Sequence, residues 1–294
     1  MIESKFHLFC NAVSEMHPEN AIILQHGEVI AREDWVPEER RCVYSISKSF
    51  MGTAAGFAIE EGILSLDEKV TDLLPDRLPA RVSPELAALE VRHLLTMTVG
   101  QKNQVLMGSQ RKTLKETDWI RFALRQPFAH MPGTSFLYSN TGPYLLGIIL
   151  QRKTGQSVTD YLMPRLFDPL EIPRPYWEQD PEGNEFGAGG LHLNVTELTR
   201  FGQLYLQEGV WKGQQVIPKS WIRQVERTYI PTGGPRDYSM LFWRTRHDTL
   251  SAVGKYGQYV TICADKDVVF VMTAEDSEDR NLLAYFWDYV YPSL

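Results

Sequence analysis

Two strand-turn-strand patterns lie at opposite ends of the chain, and the stretch between them is patterned for helices. Near the N-terminus, Ala21-Ile22-Ile23-Leu24 and Val29-Ile30-Ala31 flank Gln25-His26-Gly27-Glu28, which predicts a β-hairpin with glycine in the turn. Near the C-terminus, Tyr259-Val260-Thr261-Ile262-Cys263 and Val268-Val269-Phe270-Val271-Met272 flank Asp265-Lys266-Asp267, a second hairpin. Sheet at both termini with helices between them predicts an α/β (α+β) fold interrupted by a helical insertion.

The helical patterns are distinct. Ser45 to Glu61 is rich in Ala, Phe, Met and Ile and stops at Gly62, a residue suited to a helix C-terminus. Further patterns run from Glu85 to Leu95, Glu116 to Leu124, Pro143 to Lys153 and Val195 to Leu206, separated by prolines and glycines. From Glu278 to Tyr291, Leu282, Leu283, Phe286, Trp287 and Val290 recur at helical spacing. The predicted division is a sheet domain of residues 1–63 and 189–294, with a mainly helical domain of 64–188 inserted between them.

Bulk properties narrow the function classes. Of 294 residues, 43% are hydrophobic and 23% charged, as in ordinary globular proteins. A net charge of -7 without any Lys/Arg run argues against nucleic acid as a partner. No stretch approaches the ~18 apolar residues of a membrane span, and Met1 to His7 does not resemble a secretory signal. The expectation is therefore a cytoplasmic protein without a membrane partner. Cys10, Cys42 and Cys263 are odd in number, widely spaced and read as reduced structural thiols. The seven histidines show no HExxH or HxH pattern, so neither a metal nor another cofactor is expected. Oligomeric state is not legible.

Two constellations carry chemistry. Ser45-Ile46-Ser47-Lys48 is a Ser-x-x-Lys spacing, which puts both side chains on one face of a helix. Ser109-Gln110-Arg111-Lys112 has the same spacing but sits in a polar run, whereas Ser45 opens a strongly apolar helix whose free N–H groups can face an oxyanion. A lysine in a helical first turn among apolar residues has its charged form disfavoured, as a general base requires. An exposed lysine beside N-capping serines fits the same spacing. Tyr138-Ser139-Asn140 stands before the next apolar helix. A phenol near a lysine cation has a lowered pKa and can carry a proton, while Asn140 can orient the lysine or hold a substrate carbonyl. A loop tyrosine followed by a capping Asn140 or Thr141 is the plainer alternative.

Taken in order, Ser45-Ile46-Ser47-Lys48, Val91 to Gly100 and Tyr138-Ser139-Asn140 resemble the serine β-lactamase and penicillin-binding-protein superfamily. Within it, the similarity is to the class C-related branch of esterases, D-amino-acid peptidases and 6-aminohexanoate-dimer hydrolases. It continues through Gly189-Gly190-Leu191-His192-Leu193 and Trp221 into Gly254-Lys255-Tyr256-Gly257-Gln258, spanning roughly Ala21 to Ala274. The resemblance implies a transpeptidase-like antiparallel sheet flanked by helices, with Ser45 acylated, Lys48 accepting its proton and Tyr138 as shared acid/base. It implies Asn140 against Lys48 or the substrate, and backbone N–H groups of Ser45 and Lys255 as the oxyanion hole. Tyr256, Gly257 and Gln258 would border the substrate.

The literal Lys153-Thr154-Gly155 is set aside as a helix end, with Gly155 as its cap. In the resembling β-lactamases the third motif carries a hydroxyl that Tyr256 does not reproduce, so efficient β-lactam recognition is not implied; alignment to the class C enzymes would instead place this motif at Thr249 to Ser251. The expected activity is hydrolysis of small esters, amides or D-amino-acid peptides, with weak β-lactamase activity as a side reaction. The alternative is a slowly deacylating β-lactam- or acyl-binding sensor. Pocket shape is expected to depend on the segments between Gly100 and Gln110 and between Pro169 and Gly187.

Overall fold

The computed structural model describes residues 2–294. Its centre is a seven-stranded antiparallel sheet of order β2-β1-β11-β10-β9-β8-β7. The first hairpin supplies β1 (Pro18–Gln25) and β2 (Glu28–Asp34). Short β3 (Arg41–Cys42) and β4 (His192–Leu193) pair with each other outside it, as do β5 (Val210–Trp211) and β6 (Gln214–Gln215). The C-terminal part adds β7 (Asp237–Ser239), β8 (Phe242–Arg244), β9 (Leu250–Gly254), β10 (Gln258–Cys263) and β11 (Val268–Ala274).

The two predicted hairpins meet directly. Ile22 of β1 pairs with Val271 of β11, which closes the sheet from both chain ends. Every residue of β11 is buried, as expected for a central strand covered on both faces. β2 is the edge and is mostly exposed, with Glu28, Arg32, Glu33 and Asp34 on it, charges that discourage edge-to-edge pairing. One face is covered by α1 (Ile2–Val13), whose Phe6, Phe9 and Val13 pack with Ile23, Phe270, Phe286 and Trp287. The other face carries the larger core.

That core is organised by α2 (Ser47–Glu60), whose residues from Ser47 to Ala58 are all buried. A helix apolar on every side has to be enclosed on every side. After α3 (Gly108–Thr113), which buries no residue, come α4 (Thr141–Thr154), packed along α2, and α5 (Val195–Leu206), whose Phe201 ring stacks on Phe50 of α2. Asn194 opens α5 with a capping box to Glu197, which matches the expected start of that helix. Gly155 adopts φ +68 as the left-handed cap of α4, and Lys153 bonds Ile63 O and Glu68. The literal Lys-Thr-Gly is a helix end.

Several boundaries differ from expectation. Glu85 to Leu95 is two short helices, Pro84–Ala88 and Val91–Leu95, because Glu90 starts a new capped turn with His93. The helix expected from Glu116 begins at Trp119, where Asp118 accepts from the Arg121 amide. The C-terminal pattern begins at Leu282 rather than Glu278 and stays helical to Ser293, an α-helical turn over Leu282–Tyr285 widening over Phe286–Val290 and tightening over Tyr291–Ser293. Among the described residues, no helix is long and apolar enough to cross a membrane.

Candidate active site

The chain enters the site along β3, where Val43 N donates to Leu191 O at 2.8 Å. Tyr44 then adopts φ +47, a left-handed conformation that costs a bulky residue energy and persists only where neighbours hold it. Ser47 does part of that: its hydroxyl donates to Tyr44 O at 2.6 Å and accepts from Leu191 N at 3.1 Å. The bend presents Ser45, half-buried, on the helical turn Tyr44–Ile46 just ahead of α2.

Lys48 lies one turn further on and is 1% exposed. Its Nζ is 2.8 Å from Ser45 Oγ and 2.6 Å from Ala188 O. Burial strips water from the ammonium and the Arg111 guanidinium adds repulsion, so the pKa falls well below its ordinary value. A neutral amine has two hydrogens and a lone pair. One N–H serves Ala188 O, and the lone pair is available to the Ser45 hydroxyl.

Tyr138 completes the triangle. Its ring centroid is 5.1 Å from Lys48 Nζ, and the ring stacks on Trp243 at 5.3 Å. The expected lowering of its pKa is reversed. Burial pushes the phenol up to about 12, outweighing the opposing pull of the Ser45 hydroxyl and the Arg236 cation. The expectation assumed a lysine cation beside the ring, but Lys48 is itself driven towards neutrality. Tyr138 is therefore a protonated phenol at neutral pH, a donor rather than a base.

The resemblance implies Asn140 against Lys48 or the substrate, and no hydrogen bond joins it to Lys48. It precedes α4 without capping it, and its Nδ2 donates to Leu106 O at 2.8 Å. Gln104 Nε2 donates to Tyr138 O and Val105 N to Ser139 Oγ, so the loop between Gly100 and Gln110 is laced to the Tyr-x-Asn segment. Asn140 Oδ1 is buried without a protein partner.

Lys255, Tyr256 and Gly257 form the turn between β9 and β10, closed by the pair Gly254 and Gln258. At Gly254 a Cβ would meet Val43 O at 2.5 Å, so only glycine lets β9 lie against the segment that carries Ser45. Tyr256 packs its ring on Tyr44 at 4.9 Å. Among the described residues, no oxygen accepts from the amides of Ser45 or Lys255 outside regular elements. Gly257 adopts φ +93 within this turn. Gln258 is a correction: it is 2% exposed and its amide donates to Ala274 O, so the side chain is committed to the sheet rather than to a substrate.

Two contributors escaped the linear reading. Ala188, whose carbonyl holds Lys48, lies in the glycine-rich run Gly187 to Gly190, which read only as a return into the sheet. Arg111 belongs to the polar run that carried the decoy Ser-x-x-Lys; in α3 its guanidinium stacks 4.1 Å from the Phe186 ring. No local pattern marks either one.

A sequence profile of the β-lactamase family matches residues 20–287. An uncharacterised protein of Alkalihalophilus pseudofirmus is 26% identical over 246 residues, covering 72% of this chain and 65% of that protein. The 6-aminohexanoate-dimer hydrolase of Paenarthrobacter ureafaciens is 24% identical over 282 residues, covering 85% of this chain and 70% of that enzyme. The chain thus spans slightly under two thirds of the first relative's length and more of the second's. EstCE1, described as a hydrolase with promiscuous acyltransferase activity, has a similar structure, with a TM-score of 0.81 at 16% identity over 99% of this chain and 98% of that one. At that identity the likeness is one of fold.

Proposed function

The chain belongs to the β-lactamase family, and from that premise we propose that this serine hydrolase forms an acyl-enzyme on Ser45 and hydrolyses small esters, amides or D-amino-acid peptides. The observation that carries the reading is the 2.8 Å approach of a fully enclosed Lys48 amine to a half-exposed Ser45 hydroxyl.

In acylation, Ser45 Oγ attacks the substrate carbonyl carbon while its proton passes to Lys48 Nζ. The carbonyl oxygen becomes an oxyanion between the amides of Ser45 and Lys255. Collapse breaks the bond to the leaving group, which takes a proton from the Tyr138 phenol as Lys48 restores it. Water then attacks the ester carbonyl on Ser45, its proton passes to Lys48, and cleavage of the acyl C–Oγ bond releases the acid as that proton is handed on to Ser45 Oγ. The name of one relative, 6-aminohexanoate-dimer hydrolase, supports the same chemistry.

The test is intact mass spectrometry after exposure to a fluorophosphonate, a penicillin and a nitrophenyl ester, with product release followed in parallel. Wild type is expected to gain one acyl adduct and turn over the ester, and Ser45→Ala to do neither. A stable adduct without product would identify a slowly deacylating acyl-binding protein, and equal labelling of Ser45→Ala would remove Ser45 from the role.

A further inference from the structure

Three residues far apart in sequence meet beside the nucleophile turn. Cys42 and His192 are directly paired across β3 and β4, and Glu178 joins them from the segment whose amide donates to Gly190 O at 2.9 Å. One potential ligand atom from each lies within 4.8 Å of the others, and all three residues are half-buried. We propose that Cys42 Sγ, an imidazole nitrogen of His192 and a Glu178 carboxylate oxygen bind one divalent cation of the zinc class.

The donor set points to that class. A thiolate, an imidazole and a carboxylate together suit zinc, whereas calcium and magnesium are held by oxygen alone. Three protein ligands leave a fourth tetrahedral position to solvent, and the Glu178 side chain, 41% exposed, leaves water a route in.

The surroundings are those of a supported site. His192 Nδ1 lies 3.0 Å from Gly190 O; donating there keeps the neutral ring in one tautomer with its lone pair on the other nitrogen. Burial raises the Cys42 thiol despite the backbone N–H groups of Tyr44 and Gly190 beside its sulfur, so the thiolate forms only as the ion displaces the proton. A Cβ at Gly190 would lie 2.5 Å from Glu178 Cβ, so glycine there lets the carboxylate-bearing segment approach.

Charge balances as well. Thiolate and carboxylate neutralise a doubly positive ion, and binding releases the thiol proton to solvent. Arg111 Nη1 is 3.9 Å from Glu178 Oε2, a long contact that leaves the second oxygen free and holds the carboxylate from outside. The expectation of no metal site rested on linear histidine motifs, which cannot register a cross-strand pair.

The experiment is titration of chelator-stripped, reduced protein with Co2+, followed by back-titration with Zn2+. One equivalent per chain is expected, with thiolate-to-cobalt charge-transfer absorption that Zn2+ abolishes. Cys42→Ser should lose that absorption, and His192→Asn and Glu178→Gln should each weaken Zn2+ binding at least about tenfold. Circular dichroism establishes that each variant is folded, and buried Cys10 and Cys263 serve as internal controls. Absence of the band in folded wild type, or its survival in folded Cys42→Ser, overturns the proposal. Ser45→Ala should bind as wild type does, so failure of the hydrolase reading and failure of this one are told apart.

Discussion

The amine of Lys48 and the hydroxyl of Ser45 are 2.8 Å apart, yet Lys48 is 1% exposed and Ser45 is only half-buried. The base is dry and its proton donor is accessible. That difference favours the neutral amine in Lys48 where a surface lysine would be charged, and it turns the amine's lone pair to the nucleophile.

Replacing Lys48 by Met should lower kcat by about 10²–10⁴, the usual worth of a positioned base. It should also stabilise the fold at neutral pH. The folded state binds fewer protons here than the unfolded chain, whose lysine titrates near 10.5, so wild-type stability rises with pH up to that value. Thermal unfolding of both proteins should show an advantage for Lys48→Met that is present at about pH 7, shrinks as pH rises and vanishes above about pH 10. A gap that does not change with pH would mean that Lys48 stays charged.

Arg111 is the nearby cation that helps depress Lys48. Removing its charge in Arg111→Gln makes Lys48 easier to protonate. The acidic limb of the kcat/KM profile should therefore move to higher pH, with the plateau rate less affected than the limb. Movement to lower pH would exclude this assignment.

Tyr138→Phe removes the hydroxyl and keeps the ring stacked on Trp243 and edged against Tyr238. A kcat loss of about 10²–10⁴ with little change in thermal midpoint is expected. Because burial holds the phenol up to about 12, wild-type activity should show no alkaline fall around the ordinary tyrosine value of 10.0. Such a fall, absent from Tyr138→Phe, would make the phenolate the working form.

For Lys255 the proposed donor is the backbone amide, and the side chain is exposed beside the Tyr256 ring. Lys255→Ala should retain activity within a few-fold, whereas Lys255→Pro, lacking the N–H, should lose about 10²–10³ in kcat. Gly254→Ala should be similarly impaired, since its Cβ would collide with Val43 O and force β9 away from Ser45. Steady-state kinetics on folded variants distinguishes these cases. Equal loss in Lys255→Ala and Lys255→Pro would shift the role to the side chain.

Much of the architecture was legible because it rests on periodicity. The terminal hairpins, the strongly apolar helix behind Ser45 and the capped helix from Val195 all appear where their patterns place them. β7, β8 and β9 were not legible. β9 buries Ser251, whose hydroxyl bonds Thr261 and approaches Thr245, so polar residues occupy positions where alternation would call for apolar ones. Gln258 was misjudged for the same reason: a polar side chain in a site-like block satisfies a backbone carbonyl inside the sheet.

By itself, the order of residues determined which groups can do chemistry and which helix carries them, since the three-residue spacing of Ser45 and Lys48 is a property of one local turn. It also determined that the termini build a sheet. Only the tertiary structure decided which way these groups titrate, because Lys48 is dehydrated by the packing around it and repelled by Arg111, and Tyr138 is covered by Trp243, neighbours that no local pattern connects to them. It alone set the Ala188 carbonyl on the amine and brought Cys42, Glu178 and His192 within reach of one ion. Local geometry follows from sequence neighbours, whereas dielectric environment and through-space contacts are created by the packing of segments distant along the chain.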